Sequence, residues 1–419
     1  MKKNNKKLVK IIAPVALASG CLATIPAASC STSMYKGLKH LAPYLHELTF
    51  NDYVYDKDFV TTKDAEAFGC SSVRNGDFYG RNFDYVFNNT PEFVVKMKAN
   101  KEKHRHASIG IATHFGLREN KLLKGEYKEQ LSLVPNITLD GINDAGVICS
   151  HNVVSMEPTT VDETTYTAET QPDNQNAKQL HMLFIPRYVL DNASSAAKAV
   201  ELLTSENLNI KGALNNNYYL HVMIADAKET YVVEFFHKKS STHNHFDVVV
   251  DKKGTEAGHL PIMTNYYVNN GNNDFVNDKK YGEERYAILE DGYNTATSFS
   301  GMESLMQRVM FSKAYNYRHN PVPMKVTTPD KGDLTSEWYS EFVVQSELYP
   351  YTGAFDYQKY LLDFVLFKQD YWNARLLDYR VPANPNYWQT THNSTYDIRH
   401  KHLRVVVQEQ YETYFDYYL

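Results

Sequence analysis

Short apolar runs with strand-like alternation fill the middle of the chain. Gly69 to Tyr85 predicts two strands around Asn75-Gly76, because β-prone residues flank a dipeptide that supplies the positive φ angles of a two-residue hairpin. Strands are predicted at Pro91–Met97 and Ala107–Ala112, separated by a basic loop from Lys101 to His106. Leu139 to Val154 predicts two more strands joined by a tight turn at Asn143-Asp144-Ala145-Gly146. Tyr218–Ala225 and Thr230–Phe236 predict another pair, turning at Asp226 to Glu229, and Leu403–Val407 a strand close to the C-terminus. Helical spacing appears at Tyr35–Leu41, at Gln179–Leu190, and at Ala196–Leu203 behind a Ser194 or Ser195 cap. A short helix is predicted over Thr62 to Ala67, a polar loop over 157–178, a strand at Trp338–Phe342 and an aromatic helical insertion at about 348–385.

Composition narrows the function classes. The chain has 419 residues, 43% hydrophobic and 22% charged, which is the balance of a globular protein with ample core. A formal charge of -5 leaves no basic footprint for nucleic acid. The sequence contains no internal repeat, no glycine-rich phosphate loop and no Gly-x-Ser-x-Gly elbow. Residues 1–30 stand apart, with Lys2, Lys3, Lys6 and Lys7 ahead of a short apolar run from Leu8 to Leu17 and then small residues. That is the layout of a secretory leader, too short to span a bilayer comfortably. Ala18-Ser19-Gly20-Cys21 resembles a bacterial lipoprotein cleavage box, and Ala27-Ala28-Ser29-Cys30 is a poorer one or an ordinary signal-peptidase site. The expectation is an exported protein of the cell envelope or exterior, with membrane contact only through a lipid on Cys21; a non-cleaved anchor is the alternative.

Two of the four cysteines lie in that leader, leaving Cys70 and Cys149 for the folded body. In an exported protein they would either pair as a disulfide or stay free. A disulfide would block nucleophilic chemistry at Cys70, so the readings exclude each other, and free thiols are the reading adopted. Cys70 opens the predicted hairpin, and Arg81 and Asp84 lie on its return strand. A thiol, a guanidinium and a carboxylate on one hairpin make a tuned nucleophile, or else a buried Cys beside an ion pair. His104 with His106, and His237, His243 and His245, match no strong zinc spacing and read as solvated loops. No metal and no cofactor is predicted.

Cys70 followed by Gly80-Arg81-Asn82-Phe83-Asp84 resembles the choloylglycine hydrolase, penicillin V acylase and acid ceramidase group of N-terminal-nucleophile hydrolases. Further segments match in order. Asn143-Asp144-Ala145-Gly146 with the strand to Asn152 resembles the family's Asn-Glu-x-Gly segment, and Glu234 stands as in its Val-Glu-Phe strand. Thr264-Asn265 resembles its Leu-Thr-Asn, Arg285-Tyr286 its Arg-aromatic helix start, and Thr391–Asp397 with Leu403–Val407 its closing strands. The resemblance runs from Cys70 to the C-terminus, apart from the insertion at about 348–385.

It implies an α+β fold, an αββα sandwich of two antiparallel sheets flanked by helices. It also implies that residues 31–69 are a prosegment removed by cleavage before Cys70, leaving 70–419 as the catalytic domain. Cys70 would be nucleophile and, through its freed α-amine, base: the amine titrates near ~8 against ~8.5 for a thiol. Arg81 would favour the thiolate, Asp84 would hold the amine or thiol, the Asn265 side chain and the Asn152 backbone would face the oxyanion, and Arg285 would complete the network. The substrate would be a small N-acyl amide such as a conjugated bile acid, an N-acyl amino acid or a penicillin-type amide. An acyltransferase, or a non-catalytic ligand-binding lipoprotein, is the alternative, and a homo-oligomer is left open. Two features depart from the bile-salt hydrolases: the interval from Cys70 to Arg81 is shorter, and bulky His151 stands beside Asn152.

Overall fold

The computed structural model describes residues 35–53, 55, 69–86, 90–155, 177–211, 218–237, 246–254, 259–268, 283–310, 326–328, 332–334, 388–407 and 413–419. Strands are numbered along the chain: β1 Tyr35–Ala42, β2 Leu45–Phe50, β3 Gly69–Asn75, β4 Phe78–Val86, β5 Glu92–Met97, β6 Ser108–Thr113, β7 Thr138–Asn143, β8 Ile148–Ser155, β9 Lys178–His181 and β10 Leu208–Lys211. They continue as β11 Tyr218–Ala225, β12 Thr230–His237, β13 Phe246–Lys252, β14 Ile262–Met263, β15 Val326–Thr328, β16 Gly332–Leu334, β17 Trp388–Asp397, β18 His402–Val407 and β19 Tyr414–Tyr418. Nine form one sheet in the order β1-β2-β5-β6-β7-β8-β11-β12-β13, and six form a second in the order β14-β3-β4-β17-β18-β19. All pairings within these two sheets are antiparallel except β2 with β5, which is parallel.

The two sheets face each other. Ile109, Ile111, Ile142, Ile148 and Met223 of the larger pack with Tyr79, Tyr396, Leu403, Val405 and Val407 of the smaller in one buried cluster. Helices Ile185–Asn192 and Ala196–Leu203 cover the outer face of the larger sheet through Val189, Ala196, Ala199 and Leu203. Ser195 caps the second of them by accepting from the Lys198 N–H, as its sequence predicts. Helices Glu283–Gly292 and Phe299–Arg308 cover the smaller sheet, where Leu289, Met302, Leu305 and Met306 meet Val73 and Ile262. The αββα order is the one the resemblance implies.

Where β6 crosses β7, Gly110 pairs with Gly141. A Cβ on Gly110 would stand 2.3 Å from the Asp140 carbonyl oxygen, so the close approach of these strands requires glycine. The hairpin that joins β3 to β4 turns one residue later than its Asn75-Gly76 signal suggests. Asn75 pairs with Phe78, the loop is Gly76-Asp77, and only Gly76 takes a positive φ, as in a type II′ rather than a type I′ turn. Asn75 is drawn into the strand because its side chain donates to the Tyr293 carbonyl at 2.8 Å while the Arg74 N–H donates to the Pro261 carbonyl.

Tyr35–Leu41, read as helical from its spacing, is strand β1. Its pairing to β2, and of β2 to β5, overrides a weak local preference, and Leu45, Leu48 and Phe50 of β2 are fully buried. Gln179–His181, at the start of the predicted helix, belong with Lys178 to strand β9, and the helix begins only at Ile185. The leader, the Thr62–Ala67 helix, most of the 157–178 loop, the Trp338–Phe342 strand and the 348–385 insertion fall outside the described residues.

Candidate active site

The register of the β3–β4 hairpin decides which side chains share a face. Cys70 pairs with Phe83 and Ser72 with Arg81, so these four point to one face, while Gly69 with Asp84 and Ser71 with Asn82 point to the other. The thiol therefore lies on the side of Arg81, toward the larger sheet. Asp84 lies on the helix side, level with the Gly69–Cys70 link. Arg81 donates from Nη2 toward Cys70 Sγ at 3.7 Å and to the His151 carbonyl at 2.9 Å. Asp84 accepts from the Thr390 hydroxyl at 2.6 Å through Oδ1, and its Oδ2 is buried with no hydrogen-bond partner, 3.6 Å from Arg285.

The distant asparagine and arginine arrive at the same link. Asn265 Oδ1 accepts from the Cys70 backbone N–H at 2.8 Å and from Arg285 at 2.6 Å, while its amide nitrogen donates to the Val153 carbonyl at 2.6 Å. Two donors on one atom and a carbonyl on the other fix the orientation of the amide. Arg285 also bonds the Cys70 carbonyl and the Ser71 hydroxyl. Asn152 donates to the Met263 carbonyl at 3.0 Å and accepts from Ser72, so its side chain ties β8 to the segment that carries Asn265. Asn265, Arg285 and Asp84 thus gather at the Gly69–Cys70 link, Arg81 at the thiol, and Asn152 one step away on Ser72 and Met263, each fully or almost fully buried.

Electrostatics at the thiol oppose one another. Burial raises the Cys70 thiol above its ordinary value, Arg81 draws it down, and Asp84 pushes it up again. The net is a raised value, so the link-bound Cys70 is a neutral thiol at neutral pH. Cys149 is likewise buried, unpaired and raised by burial.

No family model and no curated protein matches the sequence. Among solved structures, the chain is similar to penicillin V acylase from Agrobacterium tumefaciens, at 13% identity and a TM-score of 0.36, covering 84% of this chain and 86% of that one. It is similar to a mutant of conjugated bile acid hydrolase from Clostridium perfringens, at 13% identity and TM-score 0.35, covering 84% and 92%. It is also similar to the Caenorhabditis elegans ortholog of N-acylethanolamine-hydrolyzing acid amidase, at 14% and 0.34, covering 57% and 86%. At such scores the likeness carries no argument, and the functional reading rests on the chain's own residues.

Sequence reading missed the groups that hold Arg81. Its Nη1 donates to Asp140 at 3.0 Å, and Asp140 in turn takes the His392 Nε2 at 2.8 Å and the Tyr396 hydroxyl. Burial alone would raise the Asp140 carboxyl, but the charges of His392 and Arg81 outweigh it and hold it at about 2. His392 is raised: burial lowers it, and Glu92 and Asp140 more than compensate. Glu92 Oε2 lies 2.8 Å from His392 Nδ1, a close ion pair whose angle falls outside hydrogen-bond geometry. His151, desolvated and repelled by Arg81, is held well below its ordinary value and stays neutral. The available signal was an ionisable side chain inside an apolar strand, since Asp and Glu are almost never fully buried unpaired.

Proposed function

We propose that this chain is a cysteine N-terminal-nucleophile hydrolase of linear N-acyl amides, acting through an acyl-enzyme on Cys70 once the Gly69–Cys70 link is cut. The observation that carries the reading is the convergence on that one link of Arg81, Asp84, Asn265 and Arg285, drawn from separate parts of the chain. A merely structural buried cysteine has no need of an arginine at its sulfur and of an amide and a second arginine, with a carboxylate beside it, on its own backbone.

In this reading the thiol attacks the Gly69 carbonyl, the C–N bond to Cys70 breaks, and the resulting thioester is hydrolysed by water. The products are a Gly69 carboxylate and a free Cys70 α-amine. The Cys70 nitrogen already donates to Asn265 Oδ1, and once cleaved its amine has further N–H groups to donate to Asp84 Oδ2, an oxygen on the same side with no hydrogen bond of its own. Asp84 is therefore assigned to the amine rather than to the thiol, which points to the opposite face. The amine takes the thiol proton, the thiolate beside Arg81 attacks the substrate amide, and the amine returns the proton to the departing nitrogen. Asn265 and the Asn152 backbone N–H are assigned to the oxyanion, where one such donor is typically worth ~3 kcal/mol.

Conjugated bile acids, N-acyl amino acids and penicillin-type amides are the candidate substrates. The protein is proposed to be exported, with a lipid on Cys21 as its contact with the membrane. Among the described residues, no helix is long and apolar enough to cross one. The test is the intact mass of the mature protein together with a hydrolysis screen over the three amide classes. A new N-terminus at Cys70, and turnover abolished by Cys70→Ala, is the expected result. An uncut Gly69–Cys70 link in an active protein would overturn the mechanism.

A further inference from the structure

Two histidines and a carboxylate that play no part in the chemistry at Cys70 meet at the edge of the larger sheet. His40 of β1 and His46 of β2 are directly paired across the hairpin, which sets both imidazoles on one face with ring centroids 5.0 Å apart. Glu119, the first residue of the short helix Glu119–Leu122, comes up against them. Its Oε2 lies 2.8 Å from His46 Nε2 and its Oε1 3.9 Å from His40 Nδ1, and one ligand atom from each residue falls within 4.8 Å of the others. His46 is completely buried and Glu119 nearly so, whereas the His40 side chain is 47% exposed.

We propose that His40, His46 and Glu119 bind a divalent transition metal of the zinc class, with water in the fourth position. Two imidazoles and one carboxylate with an open position form a ligand set that zinc takes, and the nitrogens set it apart from the all-oxygen sites of calcium and magnesium. Tetrahedral bonds of about 2.0–2.1 Å separate the ligand atoms by roughly 3.4 Å. The two carboxylate oxygens lie 2.8 Å from His46 and 3.9 Å from His40, and all three ligand atoms fall within 4.8 Å, so an ion enters by drawing them together toward that spacing. The two buried ligands are preset by the fold: the Tyr44 N–H donates to Glu119 Oε1 at 3.2 Å, and His46 is packed beside Phe93. The half-exposed His40 supplies the entry path.

The outer shell is incomplete. His46 Nδ1 has no hydrogen-bond partner, and loss of an outer-shell partner typically weakens metal binding by 10–100-fold. The affinity expected is accordingly below that of a fully buttressed zinc site. The rival is a plain His46–Glu119 ion pair with His40 as a bystander. A bound metal has a definite consequence: it clamps the β1–β2 hairpin, which precedes the Gly69–Cys70 link, to a helix that follows it. The clamp is independent of whether that link is cut.

The full chain, stripped with chelator and dialysed, is titrated with zinc by calorimetry and with cobalt(II) by visible absorption. One site is expected whose cobalt form shows the bands of a four-coordinate ion, and whose affinity falls at least tenfold in His40→Ala and in Glu119→Gln. His40→Ala alters a half-exposed side chain, so it should fold, and its far-ultraviolet circular dichroism verifies this. His400→Ala, at an exposed histidine paired with Asp397, should leave the site intact and controls for loose binding by other histidines. No stoichiometric binding, or equal binding in a folded His40→Ala, would overturn the proposal.

Discussion

Replacing Asp140 with asparagine is the sharpest probe of how the site is held. Four buried ionisable groups form a closed set, with Arg81 and His392 positive and Asp140 and Glu92 negative. Asn keeps the shape but removes one negative charge, leaving two cations against Glu92 alone. Breaking a buried pair in this way costs about 3–5 kcal/mol, a large part of a total stability of about 5–15 kcal/mol. The pH dependence gives a second handle. The Asp140 carboxyl sits at about 2 in the folded chain against an ordinary 3.8, a depressed value. Its contribution is therefore complete above pH ~4 and lost as pH falls toward ~2, and at ~1.4 kcal/mol per unit it amounts to about 2 kcal/mol. His392 runs the other way. Its folded value is raised, so its contribution is complete below its unfolded value and is lost as pH rises through the folded one. Urea unfolding from pH 2 to 9 should give a profile whose acid limb flattens in Asp140→Asn, with a midpoint loss at pH 6 corresponding to ~3 kcal/mol or more. A loss below ~1 kcal/mol with the acid limb unchanged would refute this charge balance.

Three further outcomes follow from particular contacts. Gly110→Ala drives a Cβ to 2.3 Å from the Asp140 carbonyl, a backbone atom that cannot swing aside, and should cost about 1–3 kcal/mol or more in thermal unfolding. Thr390→Val removes the hydroxyl that donates to Asp84 and leaves a buried carboxylate oxygen bare; with the thiol face untouched, kcat should fall while the rate of thiol alkylation stays within about twofold. After scission at Cys70, residues 35–50 should still co-purify as a separate polypeptide and be released only by denaturant. Leu45, Leu48 and Phe50 are completely buried, and burying each such side chain is worth about 1.5–3 kcal/mol. A mature protein purified without that fragment in native buffer would contradict this.

The parts of the fold that were legible in the sequence are those where local pattern and tertiary demand coincide. The strands β7, β8, β11 and β12, and the Ser195-capped helix, combine correct periodicity with turn or cap residues that fit. The misread parts are those where pairing decides. The β1 sequence Tyr35–Ala42 alternates poorly and is half exposed, so only its partner β2 makes it a strand. The Asn75-Gly76 signal puts the turn one residue early because Asn is a favoured turn residue, yet the Asn75 side chain is spent on the Tyr293 carbonyl. Separation in sequence explains why Glu92, Asp140 and His392 escape a reading of the sequence. Each is an ordinary residue in its own strand, and they meet only when β5, β7 and β17 are stacked across the two sheets.

That separation also bears on how the site works. A thiol raised by burial is a poor nucleophile, and Arg81, which could correct it, is itself engaged by Asp140 at 3.0 Å. The arginine's charge is shared between a carboxylate and a thiol, so the link-bound Cys70 remains protonated despite its cationic neighbour. On the proposed mechanism, cleavage changes this balance. It converts a backbone N–H, already bonded to Asn265, into an amine able to take the thiol proton, next to a carboxylate oxygen that has no other hydrogen bond. In that mechanism the uncleaved chain lacks both the base and an open path to the thiol, since Cys70 is completely buried. Supplying an external amine base to an uncleaved variant should restore little activity, because the 0% exposure of Cys70 excludes it. If such a variant were rescued to near the native rate by added amine, with its Gly69–Cys70 link still intact by mass, burial would not be what closes the uncleaved site, and the missing base alone would account for its inactivity.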